Sequence, residues 1–156
     1  MISPSLEDYL ESIYKSEISD IEIKPLTISQ ELDKPLSRVV QAIQRLHYQK
    51  YLVYSPYKPI KLTNKGIELG KYIDSRNKLI KDFLELINLS DTNLDNELDA
   101  MKQYLSIETL ESIEKFLLFN KQYPEINQRY KMVYNKIESG RLLYRIKDEN
   151  EIWYNR

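Results

Sequence analysis

Between Lys34 and Ile67 stand seven basic side chains, Lys34, Arg38, Arg45, Lys50, Lys58, Lys61 and Lys65, and not one Asp or Glu. Residues 1–33 run the other way, with eight carboxylates opposed only by Lys15 and Lys24. The formal net charge of −1 therefore averages two segments of opposite sign. A window of this kind suits a polyanion whose phosphates repeat along a surface. Within it, Val39, Ile43 and Leu46 mark the buried side of a helix, which leaves Arg38, Val40, Gln41, Gln44 and Arg45 facing outward. Those side chains have the chemistry for reading DNA in a major groove. Ser37, Arg38 and Gln41 lie in the first turns: the Gln41 amide matches an adenine edge, Arg38 matches guanine or a phosphate, and Val40 matches a thymine methyl. Phosphate contacts then fall to Arg45, Lys50, Lys58 and Lys61.

The elements needed to carry that helix are legible on both sides of it. Leu6, Tyr9, Leu10, Ile13 and Tyr14 follow helical spacing, so a first helix is expected over about 5 to 16, opened by a Ser5–Asp8 capping box. A short second helix is expected from Thr27, with Gln30 completing its capping box, to about Leu32, and Ser37 is expected to cap the third. Two helices and a tight turn make a helix-turn-helix. Tyr51 to Tyr54 and Ile60 to Leu62 read as short strands around a Pro-containing turn, which is a wing. Thr63-Asn64-Lys65-Gly66 opens a long helix to about Ile87, with Ile67, Gly70, Ile73, Ile80, Phe83, Leu84 and Ile87 on one broad face. Further helices are expected from Ser90, from Ser106, and from Pro124 to Ser139 with Gly140 as the stop. The tail reads as strands Leu142 to Ile146 and Glu151 to Tyr154 around a polar turn.

The fold class expected is mainly α with a small β wing: a winged helix-turn-helix head (1–72), a helical dimerisation domain (73–140) and a C-terminal tail (141–156). Catalysis has little support. His47 is the only histidine, placed late in the third helix where a surface or phosphate-contacting role fits it, and the chain lacks a Gly-rich phosphate loop, a Gly-x-Ser-x-Gly elbow and a metalloprotease helix motif. No cysteine is available for a disulfide or a thiolate ligand. There is no run of 18 apolar residues and the first residues lack a secretory signal, so a cytoplasmic protein with no membrane partner is expected.

The opening Ser3-Pro4-Ser5-Leu6-Glu7-Asp8-Tyr9-Leu10-Glu11-Ser12-Ile13-Tyr14 resembles that of the diphtheria toxin repressor family of metalloregulators, in particular its manganese transport regulator branch. The likeness continues through Gln44-Arg45-Leu46, Tyr51-Leu52-Val53-Tyr54 and Leu62-Thr63-Asn64-Lys65-Gly66 to Leu105-Ser106, covering about residues 3 to 120. The resemblance implies a homodimer joined through C-terminal helices, whose two heads bind a pseudo-palindromic operator as a metal-activated repressor. It also implies a metal held between the first helix, the long helix and the helix after it. Asp8 and Glu11 match the two first-helix ligands. Where the manganese branch has His, Glu, Glu and His, this chain has Asn77, Asp99, Lys102 and Gln103.

A lysine ammonium cannot ligate a cation, so no metal is expected and metal control is read as lost or rewired. Two placements of Lys102 follow. In one, its ammonium sits between Asp8 and Glu11 in place of the metal; in the other it is a solvated helix residue and Asp8, Glu11 and Lys15 form an ordinary charged face. A residual manganese or iron site on Asp8, Glu11, Asp99 and Asn77 is the alternative for the metal, and a winged-helix protein-interaction scaffold is the alternative for the function. The additional C-terminal β-barrel of the family's longer members is not expected here. For the tail, an extended dimer interface, a cover over the vacated pocket and a further partner all remain open.

Overall fold

The computed structural model describes residues 2–56, 58–88, 91–136, 144–148 and 151–154. The elements run α1 (Pro4–Ile18), α2 (Pro25–Glu31), α3 (Leu36–Tyr48), β1 (Leu52–Val53), β2 (Lys61–Leu62), α4 (Asn64–Leu86), α5 (Asp91–Tyr104), α6 (Ile107–Gln122), α7 (Pro124–Lys136), β3 (Tyr144–Asp148) and β4 (Glu151–Tyr154). They form two compact units, Met1–Leu110 and Glu111–Arg156. No helix among the described residues is long and apolar enough to cross a membrane.

In the first unit, α1, α2 and α3 bury Leu6, Leu10, Ile13, Ile28, Val39, Ile43 and Leu46 in one core, closed by Leu52 and Ile60 of the wing and by Ile73 of α4. β1 and β2 pair antiparallel, Leu52 opposite Leu62 and Val53 opposite Lys61. A second core gathers Ile80, Leu84, Leu94 and Leu110, with Leu98, Met101 and Leu105 packed against it. The helix α4 serves both. Its buried residues are Gly66, Gly70, Ile73, Asn77, Ile80 and Leu84, spaced alternately by four and three, and Asn77 is the lone polar side chain in that stripe, between the two cores. Ile67, expected on the same face, is 39% exposed.

The helix starts differ from the capping boxes expected at Ser5 and Thr27 and from the cap expected at Ser37. The N-caps are Ser3, Lys24 and Pro35, none with a side-chain cap bond. Pro4 and Pro25 sit at the first helical positions, where a missing N–H costs nothing and a fixed φ favours the helix, so proline sets the start and the polar residues fall inside the first turn. Asp8 is then free to point elsewhere. By contrast Thr63 does cap α4, its hydroxyl accepting from the Gly66 N–H at 3.2 Å and donating to the Lys50 carbonyl at 2.7 Å. Ser106 caps α6 through the Thr109 N–H at 3.2 Å.

The ends of α1, α2 and α3 turn through Asp20, Asp33 and Lys50 at φ 54°, 48° and 63°. At α3 the Tyr51 N–H reaches back to the Leu46 carbonyl and the Lys50 N–H to that of His47, both at 3.0 Å, a Schellman closure with lysine where glycine is usual. In the second unit, α7 ends within the described residues at Lys136, and Ser139 and Gly140 lie outside them. The tail strands are β3 and β4, antiparallel, with Tyr144 opposite Tyr154 and Ile146 opposite Ile152. Lys147 and Asp148, expected in the turn, belong to β3, while Leu142 lies outside the described residues.

Gly66 is demanded by a close approach, since a Cβ there would stand 1.9 Å from the Tyr51 carbonyl oxygen. That oxygen is backbone and already bonded to the Thr63 N–H, so it cannot swing away. Gly66→Ala should therefore destabilise the chain by about 3 kcal/mol, while Ile67→Ala costs under about 1. Thermal unfolding of the two variants checks this, and equal melting temperatures would contradict the packing described.

Candidate nucleic-acid interface and buried charge cluster

The outward face of α3 is open. Ser37, Arg38, Gln41, Gln44 and Arg45 are exposed, Val40 is half-buried, and Val39, Ala42, Ile43 and Leu46 face the core. Lys50, Lys58 and Lys61 are exposed along the turn after α3 and on the wing. Among the described residues none of Arg38, Arg45, Lys50, Lys58 and Lys61 pairs with a carboxylate. Lys65 is used differently: its Nζ donates to the Gln49 carbonyl at 3.1 Å and lies 4.1 Å from the Tyr51 ring centre, capping the end of α3. A cleft of about 440 Å³ is lined by Leu36 and Val40 of α3, by Tyr54, Lys58 and Pro59 of the wing, and by residues 22–26 at the start of α2.

His47 has a structural task that its position in the sequence did not reveal. Its Nδ1 lies 3.2 Å from the Leu52 carbonyl and 3.3 Å from the Tyr54 N–H, so the ring fastens the last turn of α3 to the first wing strand. Either tautomer of Nδ1 satisfies one of the two.

A second group of polar side chains fills the space beside Asn77. Glu7, Asp8 and Glu11 stand on one face of α1, which packs along α4. Arg76 of α4 donates to Glu7 at 2.7 Å and to the Asn77 side-chain oxygen through two nitrogens at 3.1 and 3.2 Å. With its oxygen so occupied, Asn77 turns its NH2 to Glu11 at 2.7 Å. Lys15 takes the other Glu11 oxygen at 2.6 Å and reaches Asp74 at 3.6 Å. Lys102 of α5 lies 2.9 Å from Asp8 and 2.7 Å from Asp99. Its side chain is 9% exposed, so it is not a solvated helix residue.

The ammonium therefore bridges Asp8 and Asp99, not Asp8 and Glu11 as expected. The reason is geometric: Asp99 precedes Lys102 by one turn of the same helix, and Glu11 is already held by Asn77 and Lys15. Gln103 is exposed. Burial alone would lower the pKa of Lys102, but the hydrogen bonds from Asp99 and Asp8 and their charges outweigh it and raise it above the ordinary 10.5. A base raised on folding stabilises the fold fully below its unfolded pKa, and that contribution is lost only as pH climbs through the raised value. At neutral pH this lysine is a cation.

Sequence reading missed Arg76 and Glu7. The signal was present in the i, i+4 spacing of Glu7 and Glu11 and in an arginine adjoining the one polar residue of the α4 stripe.

Two family models cover most of the chain: "Iron dependent repressor, N-terminal DNA binding domain" over residues 1–60 and "Iron dependent repressor, metal binding and dimerisation domain" over residues 63–131. The chain belongs to the iron-dependent repressor family. Its head is thus the family's DNA-binding domain, and the family is one of transcriptional regulators. The HTH-type transcriptional regulator MntR of Oceanobacillus iheyensis is 33% identical over 113 residues, 72% of this chain and 77% of that protein. MntR of Shouchella clausii is 31% identical over 128 residues, 82% of this chain and 87% of that protein. The fold is shared with the manganese regulator SloR, at a TM-score of 0.66 and 24% identity, and with the metal-dependent transcriptional regulator MtsR, at 0.66 and 22%. Those matches cover 76% of this chain and 55% of each of those longer chains.

A divalent manganese or iron ion takes lone pairs from several carboxylate or imidazole ligands. Here Lys102 and the Asn77 NH2 present protons instead, each already bonded to a carboxylate. Among the described residues no group of three or more His, Cys, Asp or Glu gathers closely enough to hold a metal. The residues present do not fit such an ion.

Arg76 and Glu7 have side chains only 9% and 12% exposed. Removing one partner of so buried a pair strands the other, whereas the exposed Lys24–Glu22 pair is screened by water. Urea unfolding should show Arg76→Ala losing about 3 kcal/mol and Lys24→Ala under about 0.5; a similar small loss in both would mean that Glu7 is solvated.

Proposed function

We propose that this protein is a cytoplasmic transcriptional repressor that binds pseudo-palindromic double-stranded DNA as a homodimer, without a metal corepressor and without catalytic activity. The observation that carries the reading is the exposed, unpaired basic and amide face made by α3 and the wing. Arg38 and Gln41 read base edges, Val40 meets a thymine methyl, Ser37 and Gln44 border them, and Arg45, Lys50, Lys58 and Lys61 hold phosphates.

Functionally the chain divides into a DNA-binding head (1–72), a dimerisation domain (73–140) and a tail (141–156). Dimerisation is supported by apolar side chains left exposed in the second unit: Phe116 and Phe119 on α6, Tyr123 in the link after it, and Ile126, Tyr130 and Val133 on α7. Loss of metal control is supported by the donors at Lys102 and Asn77. The competing reading, a manganese- or iron-dependent repressor using Asp8, Glu11 and Asp99, is favoured by the family model's description of residues 63–131 as metal binding.

Mobility-shift titrations across a range of salt test the interface. Lys61→Ala should weaken every sequence alike and flatten the salt slope by about 0.9 log units per decade. Gln41→Ala should cost about 1 to 3 kcal/mol on the preferred site only and relax the preference at one base pair. Two chains should bind each site; an absence of salt-dependent binding to any fragment would leave the scaffold reading in its place.

A further inference from the structure

The charge cluster between α1, α4 and α5 holds five carboxylates, Glu7, Asp8, Glu11, Asp74 and Asp99, against three cations, Lys15, Arg76 and Lys102. Arg76 and Lys15 tie α1 to α4, whereas Lys102 is the cation that ties α5 to α1. Asp8 and Lys102 are 94 residues apart in sequence, so their bond is a long-range clasp, not a local helix pair. Beside it, Asn77 spends its amide on Glu11 and so satisfies the second carboxylate that faces the same space.

We propose that the Lys102 ammonium is a built-in cation: it occupies the place of a divalent ion and clasps α5 to α1 permanently, so the DNA-binding head is held in its active arrangement whatever the metal supply. This deepens, and rests on, the reading of the chain as a DNA-binding regulator without a metal corepressor. A bound ion dissociates when its concentration falls, but a covalently attached ammonium does not. The protein is therefore constitutive with respect to manganese and iron, and only a change at Lys102 or its two carboxylates releases the clasp.

The ammonium's charge also makes a sharp substitution possible. Lys102→Glu leaves Asp8, Asp99 and a new carboxylate near one another, with no cation between α1 and α5. Their repulsion opens the clasp, and a divalent ion that prefers oxygen donors closes it again. Lys102→Met removes the charge while keeping the length of the side chain, so nothing can close it.

The test uses the full-length chain as wild type, K102M and K102E, each with a strong chelator or with Mn²⁺, with two readouts. DNA affinity is measured on a fragment selected by the wild type, and amide hydrogen exchange is followed in α1 and α5. Since Asp8 and Asp99 are 47% and 66% exposed, water screens part of the interaction, and a loss of about tenfold is expected in place of the larger effect of a fully buried pair. Wild type should bind equally in both conditions. K102M should be weaker by about tenfold in both, with faster exchange at α1 and α5. K102E should be weak with chelator and restored by Mn²⁺ to within about threefold of wild type, with calorimetric Mn²⁺ binding that the wild type lacks. The charge swap Asp8→Lys with Lys102→Asp should recover the exchange protection that K102D loses, which separates a broken clasp from a misfolded helix.

K102M with wild-type exchange and affinity overturns the clasp, and K102E that takes up no Mn²⁺ overturns the claim that the ammonium stands in the ion's place. If the wild type binds no DNA at all, the functional reading fails while exchange and Mn²⁺ calorimetry still decide the clasp.

Discussion

Three carboxylates, Glu7, Asp8 and Glu11, line the face of α1 that turns toward α4 and α5, and the two that are largely buried, Glu7 and Glu11, must find a positive or proton-donating partner before those helices can pack. Burying a charge without one costs far more than the hydrophobic contacts nearby can return. Arg76 answers Glu7, Asn77 and Lys15 answer Glu11, and Lys102 answers Asp8. Much else in the first unit follows. α4 can carry apolar residues in its buried stripe on either side of Asn77 because Asn77 and the adjoining Arg76 meet the acidic face, and α5 is held nearby by its single lysine.

This arrangement also explains why a chain of family type departs from family chemistry where the resemblance places metal ligands. Here the Lys102 ammonium joins Asp8 of α1 to α5, and the Asn77 amide beside it donates to Glu11 where a metal ligand would have to accept. Lys102 and Asn77 therefore act on different carboxylates, Lys102 on Asp8 and Asn77, together with Lys15, on Glu11.

The head was largely readable before the structure because its signals are local. Apolar positions at helical spacing place α1 and α3, and the acid-free window from Lys34 to Ile67 contains α3 and the wing, where Arg38, Arg45, Lys50, Lys58 and Lys61 pair with no carboxylate among the described residues. The capping boxes failed at Ser5 and Thr27 because Pro4 and Pro25 set those starts, and the cap at Ser37 failed because α3 already begins at Leu36 after Pro35. Pairing partners were harder. Of the two placements open for Lys102, neither is met in full: the ammonium reaches Asp8, but its second partner is set by α5's own helical turn, which gives Asp99 and not Glu11. Arg76 and the role of His47 in fastening the wing escaped because each depends on contacts between elements that periodicity does not encode. Gly66, in contrast, was legible as a motif but not as a reason; the Tyr51 carbonyl supplies it.

The account stands or falls on whether DNA recognition is independent of metal. The most direct measurement is to select genomic DNA fragments with the purified wild-type protein, in parallel with a strong chelator and with excess Mn²⁺, and to sequence what is retained. The same palindromic sites should be enriched in both. Enrichment only with Mn²⁺ would contradict the account, since a clasp made by Lys102 leaves no step for the ion to control.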